Sequence, residues 1–251
     1  MATVILDAGH GGWDNGAMYN GRKEKDDNLK LALAVGKKLE DKGIGVDYTR
    51  TQDVYDSPLE KAKIANASGA DYFVSFHRNA SPDNNQYSGV QTLIYNEGDV
   101  KEKLANEINK GLESVGFDNL GISVRNNLAV LKRTNIPAVL IETGFINTDK
   151  DNLIFDENFE VIAESIADSI NRVINNQASS YYYTIQVGLF RNEENAKRLA
   201  NELISMGYTV KIGMVNGYYA VWVGNFKDMN QAKRIERVLQ EDGYETWIIA
   251  V

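Results

Sequence analysis

The stretch Thr3-Val-Ile-Leu-Asp-Ala-Gly-His-Gly-Gly12 carries an apolar run into a glycine-rich turn that holds one of only two histidines in the chain. A short continuous run of this kind reads as a strand buried on both faces, with His10 at its carboxyl end. The second histidine has the same setting, because His77 closes Asp71-Tyr-Phe-Val-Ser-Phe and is followed by Arg-Asn-Ala80. A third run, Ala138-Val-Leu-Ile141, follows Ile136-Pro and ends on Glu142-Thr-Gly-Phe145. Open α/β sheets gather functional groups outside the carboxyl ends of their strands, so these three ends are expected to meet in one cleft.

Working outward, strand-like and helix-like segments alternate through the first 175 residues. Residues 28–42 place Leu29, Leu33, Gly36 and Leu39 near helical spacing, and residues 45–50 read as a strand. Ser57-Pro58-Leu59-Glu60 has the form of a helix start, with Ser as N-cap, Pro in the first turn and Glu placed to close a capping box; this helix should reach about Ser68. Residues 71–77 and 90–95 are predicted strands, 99–115 an amphipathic helix, 138–142 a buried strand and 157–175 a closing helix. The expected fold is α/β, a twisted and mainly parallel sheet flanked by helices on both faces.

Residues 175–180, Asn-Asn-Gln-Ala-Ser-Ser, are polar and lack an apolar period, which predicts a short linker. Beyond it lies an internal repeat. Tyr183-Thr-Ile-Gln-Val-Gly-Leu-Phe190 recurs as Tyr219-Ala-Val-Trp-Val-Gly-Asn-Phe226, and Ala196-Lys-Arg198, Leu203 and Gly207-Tyr208 recur as Ala232-Lys-Arg234, Leu239 and Gly243-Tyr244. Each half reads as strand, helix, strand, so a small βαββαβ α+β domain of the ferredoxin or RNP-like kind is expected. The expected boundaries are 1–176 for the first domain, 177–180 for the linker and 181–251 for the second domain. Period two in the strands turns Ile185, Val187, Val221 and Val223 under the helices. Gln186, Lys211, Trp222 and Trp247 then share the open face, where exposed aromatics beside polar groups suit a flat ligand such as a sugar ring.

Composition narrows the classes further. The chain has 251 residues and a net charge of -8, and its excess of acidic groups lies before residue 179. An acidic body with a neutral tail argues against nucleic acid as a partner, since phosphate neutralisation needs a basic face. No run is long and apolar enough for membrane insertion, and the start lacks the basic-then-apolar pattern of a secretory signal. The expectation is a protein made in the cytoplasm that reaches its place of action by lysis, a holin or non-classical export. There are no cysteines, which leaves His, Glu and Asp as strong zinc ligands.

Two neutral imidazoles and one carboxylate make a catalytic zinc site that keeps a position open for water. The carboxylate should come from Arg22-Lys-Glu-Lys-Asp-Asp-Asn28, just before the first long helix, where Glu24, Asp26 and Asp27 all qualify. Glu142 suits the part of general base, because its apolar run should raise its pKa toward the operating range. Asp7 reads as a structural hydrogen-bond acceptor, and Gly9, Gly11 and Gly12 as permitting a tight turn close to the metal.

These motifs resemble the zinc-dependent N-acetylmuramoyl-L-alanine amidases of the Amidase_3 family over residues 3–174, with four separate motifs in family order. The resemblance implies that His10, Glu24 and His77 hold Zn2+ and that Glu142 is the catalytic base. It also implies hydrolysis of the amide between the lactyl group of N-acetylmuramic acid and L-alanine. The second domain resembles the SPOR domain, which implies that residues 181–251 bind peptidoglycan glycan strands. The expected partner is therefore peptidoglycan, as muramyl peptides in the first domain and glycan in the second. The whole is similar to autolysins of sporulation that degrade the mother-cell wall, while a prophage endolysin is a second possibility. A zinc peptidase acting within the stem peptide and a non-catalytic wall-binding factor are the alternatives.

Two departures from the family pattern are Lys61, where many relatives have Arg, and Arg78, where a small residue is common. Arg78 and Asn79 are read as substrate contacts, with Arg78 expected either to narrow the cleft or to contact a stem-peptide carboxylate. The segment between Asn79 and Gly98 is too short for an autoinhibitory helix, so an open active site is expected.

Overall fold

The computed structural model describes residues 2–175, 182–226 and 229–250. The chain forms two compact units, residues 1–178 and 179–251. The expected linker, 177–180, lies outside the described residues. No described helix is long and apolar enough to cross a membrane.

The first unit runs β1 (Thr3–Ala8), β2 (Met18–Tyr19), β3 (Arg22–Lys23), α1 (Glu24–Asp41), β4 (Gly45–Tyr48), α2 (Pro58–Ser68), β5 (Tyr72–Asn79), β6 (Val90–Ile94), α3 (Asp99–Val115), β7 (Asn119–Val124), α4 (Ala129–Arg133), β8 (Ala138–Phe145), α5 (Asp149–Glu157) and α6 (Phe159–Ile174). Its main sheet has six strands in the order β4-β1-β5-β8-β6-β7. β4, β1, β5 and β8 are mutually parallel, and β6 enters antiparallel to β8 with β7 parallel beside it. This is the expected mainly parallel sheet, covered on both faces.

Alternation along the central strands divides the core. Val4, Leu6, Val74, Phe76, Val139 and Ile141 face a large cluster built with α1, α3 and α6. Ile5, Phe73, Leu93 and Leu140 face a smaller cluster under α2 and α4. Each fully buried side chain of this size stabilises the fold by about 1.5–3 kcal/mol, so most of the burial energy sits on the first face. The thinner second face is free to carry polar groups. The parity of Phe73 and Ser75 assigns His77 to that face, and the parity of Ala138 and Leu140 assigns Glu142 to it as well.

α2 has the expected start. The Ser57 hydroxyl accepts from the Glu60 backbone N–H, the Glu60 carboxylate accepts from the Ser57 backbone N–H, and Pro58 opens the helix. Other elements depart from expectation. α1 begins at Glu24 rather than Asn28, because the inner face of its first turn is made of Glu24, Lys25 and Asn28, which are buried but polar and show no apolar period. The sequence pattern assigns no element to β7. It is an edge strand whose Leu120 and Val124 are exposed and whose Gly121 has φ +81, features that weaken a strand pattern. The short helices α4 and α5 were likewise unpredicted.

The second unit runs β9 (Tyr183–Phe190), α7 (Glu193–Ser205), β10 (Val210–Val215), β11 (Tyr218–Phe226), α8 (Met229–Glu241) and β12 (Trp247–Ala250). Its sheet is antiparallel in the order β10-β11-β9-β12. Ile185, Val187, Val221 and Val223 pack with Ala196, Ala200, Leu203 and Leu239 in its core.

A candidate metal and proton-transfer site

The loop after β1, the start of α1 and the end of β5 bring His10, Glu24 and His77 together, with one ligand-type atom from each lying within 4.8 Å of the others. Nε2 of His10 is 3.1 Å from Oε2 of Glu24, and Nδ1 of His77 is 2.9 Å from Oε1. The rings are nearly perpendicular, with centroids 5.0 Å apart. Of the neighbouring acidic groups, Asp27 pairs with Arg22 and Arg78, and Asp26 is exposed. Glu24 alone of the three joins the histidines.

Local geometry explains how Glu24 arrives there. β2 and β3 form a two-residue hairpin closed by Asn20 and Gly21, both at positive φ as a type I′ turn requires, and α1 starts directly after it. The Glu24 carboxylate then accepts from the backbone N–H groups of Ala17 and Arg78 and from the Asn28 amide. Room for the cluster comes from two glycines. A Cβ on Gly9 would fall 2.3 Å from the His77 ring, and one on Gly16 would fall 2.5 Å from Oε2 of Glu24. His10 itself sits at φ +60, an uncommon conformation held by its surroundings.

A second layer fixes the β1 loop. The buried Asp7 carboxylate accepts from Thr49, Ser75 and the Lys61 ammonium at 2.6, 2.6 and 2.8 Å, which makes it a structural acceptor. Lys61 also donates to the carbonyl of Ala8. Arg50 donates to the carbonyls of Ala8, Gly9 and Lys25. Asp14, passed over in the sequence, meets Nδ1 of His10 at 2.8 Å and accepts from Gly16 N–H.

Charge follows the same geometry. Burial opposes ionisation of Glu24, but the hydrogen bonds and charges of His10 and His77 outweigh it and hold the carboxyl well below its usual range. Burial likewise opposes charge on His10, yet Glu24 and Asp14 push its imidazolium up to about 9. Glu142 differs in kind. Desolvation raises it to about 7, and its buried Oε2 has no hydrogen-bond partner among the described residues. It faces His77 in the β5–β8 register. Two imidazoles and a carboxylate without sulfur are a donor set that zinc fits, with an unpaired carboxylate alongside.

The site opens into a cleft of about 480 Å³ that extends along the thin face of the sheet, past Leu93 and Leu140 to Arg125 and Asn127. No helix lies between β5 and β6. Asn79 lines this cleft, with its Oδ1 accepting from Ala80 N–H. Arg78 requires a correction. Its guanidinium is turned inward, bonded to Asp27 at 2.6 Å and Asn152 at 2.8 Å and stacked over Phe155, and the residue is 2% exposed. It supports Glu24 through its backbone N–H and has no free donor face for a substrate carboxylate.

In the second unit, Lys211 is the register partner of Trp222, and Gln186 partners both Trp222 and Trp247. The four residues form one row across the sheet, opposite the core. Trp247 is 61% exposed. The Trp222 ring lies on Gly213, where a Cβ would fall 2.5 Å from it, and its buried Nε1 has no partner among the described residues.

Residues 4–172 match the family model described as N-acetylmuramoyl-L-alanine amidase, and residues 179–250 match that of the SPOR domain. The chain is 31% identical over 219 residues to the sporulation-specific N-acetylmuramoyl-L-alanine amidase of Bacillus subtilis (strain 168), covering 83% of each chain. It is 37% identical over 182 residues to the endolysin of Bacillus phage SPP1, covering 68% of this chain and 66% of that one. Among solved structures, the N-acetylmuramoyl-L-alanine amidase of Clostridium difficile 630 matches with a TM-score of 0.65 and 36% identity, covering 69% of this chain and 97% of that one.

Proposed function

Because the chain belongs to the N-acetylmuramoyl-L-alanine amidase family and carries a SPOR domain, we propose that residues 1–176 are a zinc-dependent catalytic domain cleaving the amide between the muramoyl lactyl group and L-alanine. Residues 181–251 bind glycan strands through Gln186, Lys211, Trp222 and Trp247, and residues 177–180 join the two. The enzyme is a peptidoglycan amidase that acts at the cell wall. The observation that carries the finer reading is the pair of imidazoles sharing the buried Glu24 carboxylate, with the unpaired Glu142 carboxyl in register with His77.

His10, Glu24 and His77 would hold zinc, the metal that suits this donor set. When bound, zinc supplies Lewis-acid polarisation of the scissile carbonyl and acidifies water. Glu142 takes a proton from water as its oxygen adds to the lactyl carbonyl carbon. It then gives the proton to the alanine nitrogen as the C–N bond breaks, leaving a carboxylic acid on the muramoyl side and a free amine on the peptide. A carboxyl raised to about 7 by burial serves both transfers near neutral pH. Asn79 lines the cleft beside these groups and is a candidate substrate contact.

The test is Glu142→Ala with zinc analysis. The variant should keep stoichiometric zinc and lose wall digestion, and mass analysis of wild-type products should show new L-alanine amino termini. Zinc-loaded Glu142→Ala that digests as fast as wild type would end the assignment, and cleavage between later stem residues would favour the peptidase reading. A role in sporulation is favoured over phage lysis because the match to the sporulation-specific relative, at 219 residues, is longer than the first unit, whereas the endolysin match covers 68% of the chain.

A further inference from the structure

With Arg78 committed to Asp27 and Asn152, the cleft retains one guanidinium free to meet a ligand. Arg125 follows β7 directly, is exposed, and lines the same cleft as Glu142 and the histidines. Its backbone N–H is anchored to the carbonyl of Ile94 at 2.8 Å, while its side chain makes no ion pair or hydrogen bond with any described residue. On a chain with net charge -8, an uncommitted cation inside a cleft is a selective feature for an anion.

The register locates it relative to the reacting groups. Gln91 lies opposite Glu142, Leu93 opposite Leu140, and Ile94 beside Val124. From Gln91 to Ile94 is about 10 Å at the strand rise of about 3.3 Å per residue. An extended peptide covers about the same length per residue, so the far end of this span lies about three steps beyond an L-alanine at the metal cluster, and the long Arg125 side chain, which lines the same cleft as Glu142, meets the second or third residue on the way. The floor between the two ends is apolar, formed by Leu93 and Leu140, and Asn127 flanks Arg125. Glycan sugars are neutral, whereas the stem residues after L-alanine carry carboxylates. The free guanidinium therefore distinguishes which part of the substrate lies along this groove.

We propose that Arg125 is a specificity-determining residue that binds a carboxylate of the stem peptide on its second or third residue, so that the peptide and not the glycan runs along the groove from Glu142. This rests on the amidase reading above. A fork of donors on a carboxylate gives both affinity and direction, and an amidated stem cannot reproduce it.

The experiment uses the full, zinc-loaded chain with soluble muramoyl-peptides in four forms: both carboxylates free, the second-residue carboxylate amidated, the third-residue carboxylate amidated, and both amidated. Arg125→Ala should raise KM for the fully free stem by about tenfold, with kcat changed by less than about twofold. Arg125→Lys should recover part of that loss, and wild type and Arg125→Ala should have the same KM on the doubly amidated stem. The single amidation that raises wild-type KM to the level of Arg125→Ala identifies the carboxylate. Equal KM values for wild type and Arg125→Ala on the free stem, or an equal loss on all four stems, would overturn the proposal. Should wild type release no new L-alanine amino terminus from any stem, the amidase reading itself fails, an outcome separate from a wild type that cleaves normally beside an indifferent Arg125→Ala.

Discussion

Asp14 holds His10 through Nδ1 at 2.8 Å, and an ionised carboxylate can only accept, so the proton of that contact belongs to the imidazole. Nε2 is thereby directed at Glu24. The pairing sets both the orientation and the basicity of a proposed zinc ligand, and such outer carboxylates are commonly worth 10–100-fold in metal affinity. Asp14→Ala should weaken zinc binding by about that factor with the fold intact, measured by competition with a chromophoric chelator alongside circular dichroism. Unchanged affinity would show that the loop geometry alone orients the ring.

The raised pKa of His10, about 9, has a sign that can be tested. Without metal the imidazole is protonated at neutral pH, and a ligand imidazole must be neutral. Zinc uptake at pH 7.5 should therefore release about one proton, and apparent affinity should rise with pH until about 9 and then level. Calorimetry in two buffers of different ionisation enthalpy reads the proton count directly. A count near zero would mean that His10 is already neutral in the metal-free protein.

How much of this was readable in the sequence depended on whether a residue's surroundings were apolar. His10, His77 and Glu142 stand out because each terminates a buried run, and the strand period alone places His77 on one face. The same period sends Arg78 to the opposite face, toward Phe155, so its inward turn is legible in the strand pattern and runs against the expectation of a substrate contact. Only family resemblance separates Glu24 from its acidic neighbours in the sequence, because its placement depends on a two-residue hairpin whose one signal is Asn20-Gly21. Arg125 left no trace. It follows an edge strand interrupted by Gly121, and nothing local to the sequence brings that strand end to the cleft.

Asp7 and Lys61 form a buried ion pair at 2.8 Å beneath the β1 loop. Burial opposes the charge on Asp7, but the Lys61 charge and hydrogen bonds from Lys61, Ser75 and Thr49 prevail, so its pKa falls below the unfolded value of about 3.9. The stabilisation is thus fully present above that value and is lost as pH drops through the lower folded pKa. Asp7→Asn leaves a buried ammonium without its counter-charge and should cost about 3–5 kcal/mol at pH 7. Urea unfolding at pH 7 and pH 3 should show the gap between wild type and variant narrowing in acid. A gap that is the same at both pH values would remove the ion pair from the account.

In the second unit, Trp222 permits a substitution that separates packing from recognition. Its ring rests on Gly213, yet its buried indole N–H has no acceptor among the described residues, a state that costs about 1–3 kcal/mol when nothing satisfies it. Trp222→Phe keeps an aromatic ring while removing that donor. Because that N–H is closed to solvent, its removal should hold or raise thermal stability, while the smaller ring should weaken binding to isolated cell walls by about five- to tenfold through lost stacking area and leave cleavage of soluble muramoyl-peptides unchanged. Trp247→Ala, at the exposed end of the same row, should weaken wall binding through lost stacking area with little effect on stability. Sedimentation of the full chain with purified walls, at matched zinc content, gives the comparison. Wall binding that survives both substitutions would move glycan recognition off this face of the sheet.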